Sequence, residues 1–202
     1  EQYFRRLREE APESWIVLEK ILHPGEQLPA AWPVAGTTGY DFLNLLNALF
    51  IAPAGEKPLT DFYAEFTGEQ TDYHTLAREK KHQVLQELLA GDVNRLTDLL
   101  VRICERHRRY RDYTRWEISE ALKELIACFP VYRTYVTERG VTPEDRRDID
   151  WAIGQARKSY SGTDPEILDF VRAALTTDLA DWNPAFDRDE ILRFAAYSYC
   201  KA

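Results

Sequence analysis

The sequence predicts a mainly α-helical chain that carries one well-formed β-strand. Three observations lead there. Helix caps followed by apolar residues at three- and four-residue spacing recur from residue 38 to the end of the chain. One run, Trp15-Ile-Val-Leu18, has the bulky and β-branched character of a strand buried on both faces. Residues 23–38 hold three prolines and two glycines, which marks a loop.

Taken in order, residues 1–10 read as a helix with Tyr3, Phe4 and Leu7 on one face, and Ala11-Pro12-Glu13-Ser14 as a turn. Residues 15–19 read as the strand. A strand needs partners for its N–H and C=O groups. No second run of similar quality follows before Val131–Val136, so the partners are expected mostly outside these residues. Thr38 is the expected cap of a helix with Phe42, Leu45, Leu46 and Leu49, running to about Ile51. A short helix at 59–66 is expected to stop at Gly68. Asp72 caps a helix with Leu76, Val84, Leu85 and Leu88, which Gly91 is expected to end. Asp92 is expected to cap the next one, with Val93, Leu96, Leu100 and Ile103. Thr114-Arg-Trp-Glu117 is a capping box for a helix to about Cys128. Pro130 stops it, and Val131–Val136 reads as an extended linker or short strand. Thr142-Pro143-Glu144 opens a helix to about Lys158, and Asp164-Pro165-Glu166 another to about Asp178. Asp187 starts the last helix. The chain contains no Met and opens on the body of an uncapped helix, which predicts a segment of a longer protein.

Composition narrows the function. With 202 residues, 45% of them apolar, and 5 Trp, 11 Tyr and 9 Phe, the chain can bury a core. Lys plus Arg is 26 against 34 Asp plus Glu, a formal charge of -8, which argues against nucleic acid or an anionic membrane as partner. No apolar run approaches the roughly 18 residues that span a bilayer, and no secretory signal is visible. Cys104, Cys128 and Cys200 are too scattered for a disulfide framework and read as free thiols in a reducing cytoplasm.

The basic stretch Arg102–Arg115 interleaves Tyr110 and Tyr113 but is diluted by Glu105 and Asp112; it reads as a solvated helix end. Cys104 with His107, and His74 with His82, fall short of the four converging ligands that zinc needs, so no metal is expected. Arg78-Glu79-Lys80-Lys81 reads as a solvated face. Glu19 is the residue of interest. A carboxylate at the C-terminal edge of a strand sits where parallel α/β folds keep their chemistry, although most acids there are simply solvated.

Glu19-Lys-Ile-Leu22, followed by Trp32-Pro-Val-Ala-Gly-Thr-Thr-Gly-Tyr-Asp-Phe-Leu-Asn44, resembles the maltooligosyltrehalose synthases, which are members of the alpha-amylase superfamily. Cys128-Phe-Pro-Val-Tyr-Arg-Thr-Tyr-Val136 and Arg139-Gly-Val-Thr-Pro143 resemble them too. The likeness runs through essentially the whole segment and is most specific at 36–44. It implies a catalytic (β/α)8 barrel with long insertions. Trp15–Glu19 would be the fifth barrel strand, residues 1–57 part of the barrel, and residues 58–202 a helical insertion truncated at its C-terminal end. The implied reaction turns the reducing-end α-1,4 linkage of a maltooligosaccharide into an α,α-1,1 linkage without a cofactor.

The resemblance also implies a retaining mechanism with Glu19 as general acid/base. That role calls for a pKa raised by burial or a neighbouring carboxylate. The nucleophilic Asp is expected before residue 1, and a third acid beyond residue 202. Tyr40 and Asp41 are expected to contact sugar, Asp41 doubling as a helix-capping residue, with Tyr132, Arg133 and Tyr135 as further candidates for which interdomain packing is the competing reading. The expected partners are the substrate and the remainder of the parent chain, which would cover an apolar patch left exposed here. The alternative is a non-catalytic helical interaction module derived from such an enzyme.

Overall fold

A computed structural model describes residues 2–70, 72–160, 162, 164–182 and 186–197. Cys200, with its expected free thiol, lies outside the described residues. The chain forms two compact units, residues 1–70 and 71–202.

The first unit opens with α1, Gln2–Glu10. Phe4 packs on Trp32 with ring centroids 5.0 Å apart. Arg8 binds three carbonyls: its Nη1 donates to Pro12 O at 2.8 Å and Ser14 O at 2.7 Å, and its Nη2 to Pro33 O at 3.1 Å. β1 is Val17–Leu18, shorter than the expected 15–19. One partner lies inside the chain, in residues that carry no strand signal. β2, Gly36–Thr37, pairs with it in parallel, Val17 opposite Gly36 and Leu18 opposite Thr37. Ala35 N donates to Ile16 O at 2.7 Å and Thr38 N to Leu18 O at 2.9 Å. A ladder is made of backbone groups, so two residues without apolar β character can complete it. The strand is not buried on both faces. Ile16 is buried, Val17 and Leu18 are half-buried, and Trp15 is 81% exposed.

α2, Tyr40–Ala48, is preceded by Gly39 at φ 104, not capped by Thr38. A one-turn 3-10 helix, Pro53–Gly55, leads into α3, Glu56–Thr67, which ends at left-handed Gly68 as expected. Neither α2 nor α3 buries a residue. Phe42, Leu45, Leu49, Phe50, Phe62 and Phe66 are between 63% and 83% exposed, an unusual amount of bare apolar side chain.

The second unit is a helical assembly around one core. α4, Tyr73–Glu87, is capped by Asp72, whose Oδ1 accepts from His74 N at 2.9 Å and Thr75 N at 3.2 Å. α5 is Ala90–Glu105. Gly91 and Asp92 lie in its first turn, so Gly91 does not end α4 and Asp92 is not a cap. The junction is Leu88-Leu89, whose N–H groups both donate to Val84 O. α6, Arg115–Cys128, carries the expected Thr114–Glu117 capping box. Residues 131–136 bend at 131–132 and join no ladder, so the segment is a linker and not a strand. α7, Pro143–Ser159, has a capping box between Thr142 and Asp145.

α8, Glu166–Leu175, stops short of Asp178 because Thr177 turns left-handed at φ 61. A single-turn α9, Leu179–Trp182, follows, which the sequence does not reveal. α10, Arg188–Tyr197, starts at Asp187, whose Oδ1 accepts from Asp189 N at 2.9 Å. Leu100, Ile118, Ile149, Leu168, Phe170 and Phe194 are fully buried in the core, each contributing about 1.5–3 kcal/mol of transfer free energy. Among the described residues no helix is long and apolar enough to cross a membrane.

Candidate functional site

The β1–β2 pairing builds the site in the first unit. Because the strands run in parallel, both C-terminal ends meet at one edge. The register carries Glu19 opposite Thr38, one step beyond the ladder. Gly39, Tyr40 and Asp41 follow at that same edge, the latter two in the first turn of α2. Twenty-odd residues of sequence separation are thereby removed for Glu19, Tyr40 and Asp41. Tyr40 is 38% exposed. Glu19 is exposed as well. The burial expected of a proton-holding acid is therefore not built from these residues.

Thr37, which the sequence offers only as one member of the 36–44 stretch, organises this edge. Its Oγ1 donates to Asp41 Oδ1 at 2.5 Å and accepts from Gly39 N at 3.2 Å. The Thr37 hydroxyl, followed by the backbone N–H groups of Asp41 and Phe42, holds the Asp41 carboxyl below the usual carboxylate range. The available signal was a hydroxyl residue four positions before an acid at a helix start. Nearby, Lys20 pairs with Glu26 at 2.6 Å, closing the loop after β1.

Tyr132, Arg133 and Tyr135 belong to the second unit. Val131, Thr134 and Val136 turn inward, while Tyr132 is 46% exposed. The Arg133 guanidinium lies 4.8 Å above the Tyr135 ring, and its Nε donates to Thr134 O at 3.2 Å. Asp145 fixes the segment: its Oδ1 accepts from Tyr135 N at 2.8 Å. A partly open phenol beside a guanidinium stacked on an aromatic ring can offer a sugar both a flat face and hydrogen-bond donors.

The second unit also hides a carboxylate that the sequence reading passed over. Glu124, on α6, is 5% exposed. Arg78 holds both its oxygens, Nε to Oε1 at 2.7 Å and Nη2 to Oε2 at 2.5 Å. His82 Nε2 lies 3.1 Å from Oε2, Ser159 Oγ donates to Oε1 at 2.6 Å, and Cys128 Sγ lies 3.3 Å from Oε1. Burial pushes this carboxyl up, but hydrogen bonds from His82, Arg78, Ser159 and Cys128 together hold it well below the ordinary range. Arg78–Lys81 is therefore not a uniform solvated face. Arg78 turns to α6, as does Lys81, whose Nζ donates to Phe129 O at 3.2 Å. In the basic stretch, Arg106 pairs with Glu190, Arg109 with Glu166 and Arg115 with Asp98. Tyr110 turns inward onto Phe170, centroids 4.7 Å apart. Among the described residues no three His, Cys, Asp or Glu side chains converge to hold a metal.

Comparison with solved structures finds a maltooligosyltrehalose synthase from Arthrobacter ramosus. It superposes on 99% of this chain with a TM-score of 0.75 at 30% sequence identity, and the match takes up 23% of that synthase. This chain is similar to a segment of the maltooligosyltrehalose synthases. A glycosyltrehalose synthase from DSM5389 matches 85% of the chain with a TM-score of 0.60, at 30% identity and over 20% of its own length. Among curated proteins, a maltooligosyl trehalose synthase of Mycobacterium tuberculosis is 35% identical over 95 residues. Those residues are 46% of this chain, and the chain spans only 12% of that synthase. No family model matches the chain.

Proposed function

We propose that this chain is part of a (1→4)-α-D-glucan 1-α-D-glucosylmutase, a trehalose-forming enzyme of the alpha-amylase superfamily that acts in the cytoplasm. Residues 1–57 would belong to its (β/α)8 barrel and residues 58–202 to a helical insertion. The parallel β1–β2 pairing carries the reading, because it gathers Glu19, Tyr40 and Asp41 at one carboxyl edge, the end of a barrel where such enzymes work. The names of the similar synthases support maltooligosaccharide as substrate. The rest of the synthase would cover the bare apolar residues of α2 and α3.

In this reading a carboxylate from outside residues 1–202 attacks the anomeric carbon of the reducing-end α-1,4 linkage. The carbon–oxygen bond to the last glucose breaks with its electron pair on oxygen, which takes the proton of Glu19. The freed glucose turns. Glu19, now ionised, removes the proton of its anomeric hydroxyl as that oxygen displaces the enzyme carboxylate. Two inversions give net retention and an α,α-1,1 bond. Excluding water favours this transfer over hydrolysis. Tyr40 supplies a ring face and Asp41 accepts sugar hydroxyls, with Tyr132 and Arg133 as further contacts. No cofactor or metal takes part.

The test is Glu19→Gln in the full-length enzyme. Turnover of maltopentaose to non-reducing product should fall about 10²–10⁴-fold while the sugar still binds. Residues 1–202 alone should form no product. Parental turnover by Glu19→Gln would overturn the assignment of Glu19. The second reading is the non-catalytic helical module, for which the self-contained core of the second unit speaks; it is favoured if the full-length protein neither binds nor converts maltopentaose.

A further inference from the structure

The Thr37 hydroxyl has one hydrogen, and it is committed to Asp41. The remaining acceptor capacity takes the Gly39 N–H. Thr37 itself sits in β2, opposite Leu18. A ladder residue thus reaches through a single side chain to both the Gly39 turn and the first turn of α2.

We propose that Thr37 is a positioning residue of the sugar site. It holds Asp41 in the orientation that accepts a glucosyl hydroxyl, and it fixes the turn that presents Tyr40. The inference rests on reading the Glu19 edge as a maltooligosaccharide site. Thr37 touches no sugar; it acts through Asp41. Its loss loosens sugar binding and leaves the proton transfers at Glu19 in place.

The experiment uses the full-length enzyme with maltopentaose. Thr37→Val keeps the branched shape and removes the hydroxyl. KM should rise about tenfold, the loss falling on KM rather than kcat, and Thr37→Ser should restore it. In an Asp41→Ala background, Thr37→Val should cost clearly less than it does alone, since the carboxylate it holds is gone and only the Gly39 turn remains to be loosened.

An unchanged KM in Thr37→Val, no rescue by Ser, or full additivity with Asp41→Ala would each overturn the proposal. Thr37→Ala replaces Val in every comparison if Val does not fold. The site reading is judged separately: parental turnover by Glu19→Gln sinks it whatever the Thr37 series shows, whereas a dead Glu19→Gln with an indifferent Thr37→Val sinks only the positioning role.

Discussion

Arg78 on α4 and Glu124 on α6 form a two-pronged ion pair, with hydrogen bonds of 2.7 and 2.5 Å across 46 residues of sequence. Glu124 is nearly inaccessible, while the Arg78 side chain keeps 33% exposure. Removing one partner leaves the other group without its counter-charge. Arg78→Ala should destabilise the chain by about 2–3 kcal/mol, read from urea unfolding. The double variant Arg78→Met/Glu124→Met should recover most of that loss, because no charge is then left buried.

The same carboxylate sets a pH dependence. Burial alone would raise Glu124, but its hydrogen bonds outweigh burial and lower it from the ordinary 4.5. The unfolded chain therefore takes up this proton first as pH falls. The stabilisation is complete above the ordinary glutamate value and is lost as pH drops through the folded one. Asp178, lowered chiefly by Arg146, acts in the same direction. Unfolding free energy followed from about pH 7 to pH 3 should decline, and Glu124→Gln should flatten the lower part of that curve.

Two thiols should resist alkylation in the folded chain. Burial, with Glu105, pushes Cys104 up to about 12, and burial, with Glu124, pushes Cys128 up to about 11. The thiolate is the reactive form. Iodoacetamide at mildly alkaline pH should label peptides containing Cys104 and Cys128 only after denaturation, as read by mass spectrometry. Prompt labelling of either in the native chain would contradict the packing of α5 and α6.

Gly39→Ala tests the turn at the candidate site. Gly39 has φ 104, and nothing lies within 4 Å of an added Cβ. Its cost is therefore backbone strain alone, about 1–2 kcal/mol. Gly91→Ala, in the first turn of α5 with equally open space and no positive φ, should instead stabilise by up to about 1 kcal/mol. The two melting temperatures should move in opposite directions.

The helices of the second unit were largely legible because their start signals are short-range chemistry. Asp72, Thr114 with Glu117, and Thr142 all cap as their neighbours suggest. What failed was longer-range or competing. Gly91 reads as a stop, but the Leu88-Leu89 junction turns the chain without a glycine. Glu124 carries no sequence signal because its partners Arg78, His82 and Ser159 come from α4 and α7, far away in sequence. At the candidate site the individual residue types of Glu19, Tyr40 and Asp41 were legible. Their shared edge was not, since the pairing runs through Gly36-Thr37, and neither residue announces a strand. Thr38 drew attention as a cap, while its neighbour Thr37 makes the side-chain bonds.

The connection between β1 and β2, residues 19–35, has no helix or strand of its own. Closing such a loop costs on the order of 2–3 kcal/mol in chain entropy, comparable to what two ladder steps return. Arg8 is what joins the two banks of that gap, touching the approach to β1 at Pro12 and Ser14 and the approach to β2 at Pro33. The edge that carries Glu19 therefore leans on the N-terminal helix through one arginine, and a lesion at Arg8 should loosen that edge without going near it.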